Sequence, residues 1–444
     1  MSAATIFSLS SAPGRAGVAV FRLSGPSAGH IAQSLSGRPL PHPRFAALRQ
    51  FTNKSGAAID EGLLLWMPAP HSFTGEDCAE FQLHGSPAVA EALAYALNSL
   101  GARQADAGEF TRRAFTNGKL DLTEAEGLAD LIDADTQAQR VQALRQMQGG
   151  LKARYEGWRE GVLDALAQIE GEIDFPDEAD IPDDLAHKAF APVKSLSDDM
   201  AAALDSAERG ERVRAGIEIA IIGAPNAGKS SLVNYLAGKE AAIVTALAGT
   251  TRDIIEVNLV MDGLPVRVSD TAGLRDSDDV IEVEGIRRAR LRAEEADIRI
   301  LVQDLSLPND EGADLLRDGD FLVLNKSDLK PHSTAMPKIT AAISAHSVSA
   351  KSGDGLEAFQ TKLTDSVQER YSPGRDAGLT RARHKDCVVR AKAALDRAMP
   401  ALGVAPELAG DDLRAALQAL RELAGETDIE AVFDRIFSRF CVGK

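Results

Sequence analysis

Short β-like apolar runs mark the first part of the chain: Gly17–Arg22, Gly62–Trp66 and Ala79–Leu83, separated by Pro and Gly turns. One stretch there, Ala88–Leu100, has helical character, so residues 1–119 predict an α/β domain. The texture changes after Leu120. Thr123-Glu124-Ala125-Glu126 opens a long Ala/Leu/Gln/Arg-rich stretch that reaches about Ile173. Leu128, Leu131 and Ile132, then Val162, Leu166 and Ile169, recur in it at helical spacing. A Pro/Asp-rich interruption at Phe175–Asp184 precedes another predicted helix over about 186–209. Helical spacing returns over 383–444, with Ala416, Leu417, Leu420 and Leu423, then Ile429, Val432, Phe433, Ile436 and Phe437.

Between the helical stretches lie strand-like runs at Glu218–Ile222, Val266–Val268, Ile298–Val302 and Phe321–Leu324. Neither helical stretch alone makes a convincing bundle, but together they would. The pattern therefore predicts an α/β plus all-α protein in which one helical domain, 120–210 with 373–444, is split by an inserted domain at 211–372. The segment from Asp304 to Phe321, between two of these runs, is acidic.

Composition narrows the class. With 44% hydrophobic and 26% charged residues the chain reads as an ordinary soluble protein. No apolar run approaches the ~20 residues of a membrane span, and the start has no basic segment leading into a long apolar one. Three cysteines (Cys78, Cys387, Cys441) are too few for a disulfide framework and lack metal-ligand spacing, so a cytoplasmic location is expected. The net charge of −17 argues against a protein that coats nucleic acid. Most of it lies in residues 121–210, with 8 Lys/Arg against 21 Asp/Glu. An RNA backbone should avoid that face.

Gly223–Ser231 (GAPNAGKSS) follows an apolar β-branched run and fits the phosphate-loop pattern in its strand–loop–helix setting. Gly223 and Gly228 let backbone N–H groups around Asn226, Ala227 and Gly228 surround the phosphates, while Lys229 reaches their outer oxygens. Ser230 should ligate Mg²⁺, with Ser231 beside it. The remaining motifs come in order. Gly249-Thr250-Thr251-Arg252-Asp253 offers a switch threonine, Thr251, for the Mg²⁺ shell. Asp270-Thr271-Ala272-Gly273 offers a carboxylate for that shell and a glycine N–H for the γ-phosphate. Asn325-Lys326-Ser327-Asp328 and Ser349-Ala350-Lys351 complete the set. An Asp carboxylate accepts hydrogen bonds from guanine N1–H and its 2-amino group, a pair that adenine lacks. Five motifs in order point to GTP.

The catalytic equipment is unusual. Leu274 follows DTAG where Ras-like GTPases carry a water-orienting Gln. Arg252 and Arg275 are candidate arginine fingers, without a pattern that singles either out. Asp276–Glu284 holds five acids, Glu282 among them, in what could equally be a solvated loop. The Asn226 carbonyl could hold a monovalent cation beside the phosphates, or could serve a loop-stabilising hydrogen bond.

At this point the chain resembles the MnmE (TrmE) family of tRNA-modification GTPases, within the TrmE-Era-EngA-like group, over essentially its full length. GAPNAGKSSLVNYLAGKEAAIVTALAGTTRD and DTAGLR resemble the family's G domain. LIDADT, IDFPDE and IFSRFCVGK resemble its helical domain; PGRAGVAVFRLSG, FTGEDCAEFQLHG and GEFTRRAFTNGKLDLTEAE resemble its N-terminal domain. The resemblance implies a tetrahydrofolate-binding (5-formyl- or 5,10-methylene-), dimerising N-terminal domain with Arg22, Glu80, Lys119 and Lys444 at the folate. It implies K⁺ held by Asn226 and by backbone carbonyls of the loop Thr245, Ala246, Leu247, Ala248, Gly249 and Thr250, with Thr245, Leu247 and Thr250 as ligands. It implies that Glu282 positions the water when two G domains pair, and that Cys441 has a part in tRNA modification. The implied partners are a homodimer mate, tRNA, and the FAD- and NADH-dependent flavoprotein MnmG (GidA), which joins it in a heterotetramer. Together they add an aminomethyl or carboxymethylaminomethyl group to C5 of the wobble uridine. A GTP-dependent factor binding ribosomal RNA is the competing reading. It would call for a GxxG-bearing basic appendage, whereas the C-terminal segment is near neutral and ends in Cys-Val-Gly-Lys. A lone one-carbon transferase would leave the GTP site without purpose.

Overall fold

A computed structural model of the chain describes residues 4–174, 185–239, 256–270, 290–307, 311–329, 342–372, 374, 378–426, 436 and 443. It packs as two units, Met1–Ala129 with Gln146–Arg159 and Leu417–Lys444, and Asp130–Arg145 with Glu160–Ala416.

The N-terminal part runs β1 (Ile6–Leu9), β2 (Ala16–Ser24), α1 (Ala28–Ser36), β3 (Ala47–Thr52), β4 (Ala58–Met67), β5 (Cys78–Gly85), α2 (Pro87–Ser99), β6 (Arg103–Gln104) and α3 (Glu109–Thr116). Its six strands lie in the order β3-β4-β5-β2-β1-β6, antiparallel except for β1 with β6. Alternate residues of the central strands (Phe21, Leu23, Leu64, Trp66, Phe81, Leu83) form one core with Ile31 and Leu35 of α1 and Leu93 and Leu97 of α2. Phe51 meets Phe81 edge-on at 5.4 Å. The three apolar runs expected here are present as strands, each longer than its pattern, and the helix is present one residue earlier than expected. The short elements β1, β3, β6, α1 and α3 go beyond that pattern, being too brief or too rich in Ala, Ser and Gln for periodicity to show.

The helices that follow are α4 (Leu122–Ile132), α5 (Gln137–Met147), α6 (Gly150–Asp174), α7 (Leu185–Lys188), α8 (Phe190–Asp205) and α9 (Ala207–Ala215). The single helix expected over 186–209 is thus three. A box of reciprocal bonds starts α4: Asp121 Oδ1 accepts the Glu124 N–H and Glu124 Oε2 accepts the Asp121 N–H, both at 2.8 Å.

The inserted domain carries β7 (Ile217–Ile222), α10 (Lys229–Lys239), β8 (Glu256–Met261), β9 (Leu264–Asp270), β10 (Ile298–Asp304), β11 (Phe321–Asn325), β12 (Ser344–Ser347) and α11 (Leu356–Tyr371). The strand order is β12-β11-β10-β7-β9-β8, parallel except for the β8–β9 hairpin. β7 and β10 are covered on both faces: Ile219, Ile300 and Val302 join one core with Leu232 and Phe359, and Ala220, Leu301 and Leu322 join another with Ala293 and Leu316, where β10 also buries Arg299 in a 3.3 Å pair with Asp320. Among the described residues between β10 and β11 the regular structure is a 3-10 turn, Ala313–Leu315. α12 (Ala382–Ala401) and α13 (Pro406–Ala424) follow, and α12 packs on α8. There Ser197 Oγ donates to Asp396 Oδ1 at 2.6 Å.

Candidate functional site

Ligands in an open parallel sheet bind beyond the carboxyl ends of the strands, and the phosphate loop leaves β7 at that end. Its backbone takes positive φ at Gly223 (134°), Asn226 (61°) and Gly228 (101°). Close approach explains both glycines. A Cβ at Gly223 would lie 2.1 Å from the Val302 carbonyl oxygen, and one at Gly228 would lie 2.0 Å from Asn325 Nδ2. Lys229, 4% exposed at the first turn of α10, donates its ammonium protons to the carbonyls of Gly223 (2.5 Å) and Ala224 (2.7 Å). The cation is thus held over the concave side of the loop. Asn226 and Ser230 are exposed and Ala227 is buried.

The guanine-type motif is tied to that loop by its first residue. Asn325, 3% exposed at the end of β11, donates from Nδ2 to the Ala227 carbonyl at 2.8 Å. Its Oδ1 accepts the Ala350 N–H at 2.9 Å. One buried amide therefore joins the phosphate loop to Ser349-Ala350-Lys351. Asp328 Oδ1 accepts the Ser349 hydroxyl at 2.7 Å, and that bond is the main cause holding its carboxyl below the usual range. Lys326 stands in left-handed backbone (φ 63°) and pairs with Asp304 Oδ2 at 2.5 Å. The structure thus brings Asn325, Asp328, Ser349 and Ala350 together with Ala227, Gly228 and Lys229. Thr245 to Thr251, Thr271, Ala272, Gly273 and Glu282 lie outside the described residues; of Asp270 the backbone is described, at the end of β9 opposite Ile221.

In the N-terminal sheet Arg22 and Glu80 are partners in register on β2 and β5. The guanidinium donates to Glu80 Oε1 at 3.0 Å, with both side chains about one-fifth exposed, and stands 5.1 Å from the centre of the Phe73 ring. Phe73 belongs to the turn that includes Gly75, whose missing Cβ would lie 3.3 Å from Lys119 Cγ. The same turn is pinned by a buried relay in which Ser24 meets Thr74 and Glu76 at 2.7 Å, and Arg113 meets Glu76 at 2.9 Å. Lys444 and Cys441 are outside the described residues, but Gly443 is buried on β1: its carbonyl accepts the Ser10 hydroxyl at 3.0 Å. A Cβ there would lie 2.4 Å from the Leu9 carbonyl oxygen, which accounts for glycine in the terminal motif. Asp304, Phe73 and the Glu76–Arg113 pair were not singled out by sequence. An acid closing an apolar strand, next to the strand that ends in Asn-Lys-Ser-Asp, is the signal that could have found Asp304.

Comparison with known proteins agrees over the whole chain. Residues 122–441 match the MnmE helical domain and residues 5–119 the GTP-binding protein TrmE N-terminus. The tRNA modification GTPase MnmE of Maricaulis maris (strain MCS10) is 54% identical over 443 residues, 99% of either chain. Those of Paramagnetospirillum magneticum and Caulobacter vibrioides are 52% and 48% identical, again over 99% of this chain and 99% of theirs. With a phosphate loop and guanine-type motif set inside the span of a helical domain, this chain is a GTPase and belongs to the MnmE family of tRNA modification GTPases.

Proposed function

We propose that the chain is the K⁺-dependent GTPase partner of the flavoprotein MnmG, and that together they add an aminomethyl or carboxymethylaminomethyl group to C5 of the wobble uridine of certain tRNAs. The observation that carries the nucleotide part is Asn325, whose one amide ties the phosphate loop to the Ser-Ala-Lys loop. GTP would lie with its phosphates on Ala227, Gly228 and Lys229 and its base toward Asp328. Hydrolysis adds water to the γ-phosphorus as the bond to the bridging oxygen breaks, giving GDP and phosphate. The chain's task is to place charge and water.

Mg²⁺ and K⁺ would supply positive charge to the phosphates. The donor set fits them: the Ser230 and Thr251 hydroxyls and the Asp270 carboxylate suit Mg²⁺. The Asn226 side chain, on a loop bent by its own positive φ, with carbonyls of Thr245, Leu247 and Thr250, offers the neutral oxygens that K⁺ takes. Glu282 would orient the water that Leu274 cannot. A tetrahydrofolate derivative would supply the one-carbon unit, and Arg22, Glu80, Lys119 and Lys444 would hold it. The half-buried Arg22–Glu80 pair against Phe73 suits a flat, hydrogen-bonding pterin, and the lysines suit its glutamate tail. Among the described residues no helix is long and apolar enough to cross a membrane.

The test is mass spectrometry of tRNA nucleosides from a strain deleted for this gene. The wild-type gene should restore the C5-modified wobble uridine. Arg22→Ala/Lys119→Ala should not restore it, while its purified product still hydrolyses GTP. A deletion strain with unaltered wobble uridine would defeat the proposal.

A further inference from the structure

Each side chain that flanks the base in Asn325-Lys326-Ser327-Asp328 has its own anchor. Asn325 is tied to the phosphate loop and Asp328 to Ser349. The anchor of Lys326 comes from a third place, the end of β10. Asp304 and Asn325 are register partners on β10 and β11, so the carboxylate stands one strand away from the start of the motif. The Leu305 N–H returns to the Asn325 carbonyl at 2.9 Å and locks the two strand ends together.

We propose that Asp304 is a positioning residue for nucleotide binding: it holds the Lys326 ammonium and so fixes the Lys326 stem as a platform for the face of the purine ring. The inference rests on reading Asn-Lys-Ser-Asp as the guanine site. Its physical basis has three parts. Lys326 occupies left-handed backbone, which a non-glycine residue keeps only where its surroundings hold it. A lysine stem has much rotamer freedom, and a stem ordered before the ligand arrives no longer loses that freedom on binding. Asp304 is itself well fixed, being 14% exposed with Oδ1 accepting the Ser306 N–H at 2.9 Å and the Ser306 hydroxyl at 2.6 Å. Burial alone would raise the Asp304 carboxyl, but the bonds from Lys326 and Ser306 outweigh it and hold the group below its usual value. It is therefore a carboxylate at neutral pH.

The Asp304–Ser306 bend is what this chain places beside Lys326.

The experiment uses the full chain and a fluorescent N-methylanthraniloyl-GDP, with release followed by stopped flow and with GDP and inosine diphosphate as competitors. Wild type, Asp304→Asn, Lys326→Ala and the double variant are compared. Asp304→Asn should speed release about tenfold, the size expected for a lost charge-assisted bond. Its preference for GDP over inosine diphosphate should stay unchanged, because inosine keeps the ring face and lacks only the 2-amino group. In the Lys326→Ala background Asp304→Asn should add nothing. Unchanged release, or equal acceleration with and without Lys326, would overturn the role of Asp304 while leaving the guanine site standing. A wild type with no preference for GDP over inosine diphosphate would overturn the guanine reading and this inference with it.

Discussion

A methyl group at position 228 would stand 2.0 Å from Asn325 Nδ2, so the phosphate loop and the guanine-type motif leave each other no room for a side chain. That single fit shows how the site is specified at the residue scale: each motif supplies a group whose partner lies in another motif. In the proposed site Asp328 would carry the choice of base, and the Ser349 hydroxyl holds its carboxylate in place. Asp328→Asn should therefore weaken GTP binding on the order of 10²-fold, the cost of two bonds to a charged acceptor, and admit xanthosine triphosphate, whose 2-oxo group suits a carboxamide donor. Unchanged preference for GTP in a competition assay would remove Asp328 from base recognition. The chemistry of these residues was legible because it depends on residue type and order. Their partners were not. Asp304 and Ala227 reach the motif through strand register and loop curvature, which no local pattern encodes.

Element boundaries show the same division. The change to helical spacing after Leu120 predicted helices, but not the breaks that separate α4, α5 and α6. α5 begins at a box that the pattern missed, because Thr136 and Gln139 follow Asp133-Ala134-Asp135 rather than a strong apolar run. Gln139 Oε1 accepts the N–H groups of Asp135 and Thr136 at 3.0 Å, and Thr136 Oγ1 accepts the Gln139 N–H at 3.3 Å. The same amide donates from Nε2 to the Arg214 carbonyl at 3.1 Å, in α9, one residue before Ala215 and Gly216 lead into β7. Next to it the Ala138 N–H, left unpaired by the helix start, reaches the Gly263 carbonyl at 3.2 Å in the turn of the β8–β9 hairpin. The first turn of α5 is thus fastened both to the helix that feeds the phosphate-loop strand and to the hairpin beside that strand. Gln139→Ala removes the cap and the bond to α9, and should lower the unfolding free energy by about 1–2 kcal/mol. Denaturant titration that places the variant within error of wild type would show that α5 needs neither.

Across the whole molecule the sequence pattern of a helical domain spans 122–441 with the GTP-binding motifs inside it, an arrangement that two helical stretches around an α/β one had already suggested. The residues of the proposed N-terminal site were less legible. Arg22, Glu80 and Lys119 read as scattered surface charges until β2, β5 and the Phe73–Gly75 turn place them. Acidic charge is concentrated in residues 121–210, so tRNA should be held away from that part of the surface. The claim on which the rest depends is that this chain hydrolyses GTP with a potassium ion at Asn226 in place of an arginine finger. The most direct measurement is steady-state GTP hydrolysis by the full chain in KCl and in NaCl at equal ionic strength, for wild type and Asn226→Ala. Wild type should be faster in KCl by a factor approaching the ~10³ that a missing arginine-finger charge costs, and Asn226→Ala should be slow in both salts. Equal wild-type rates in KCl and NaCl would contradict the account.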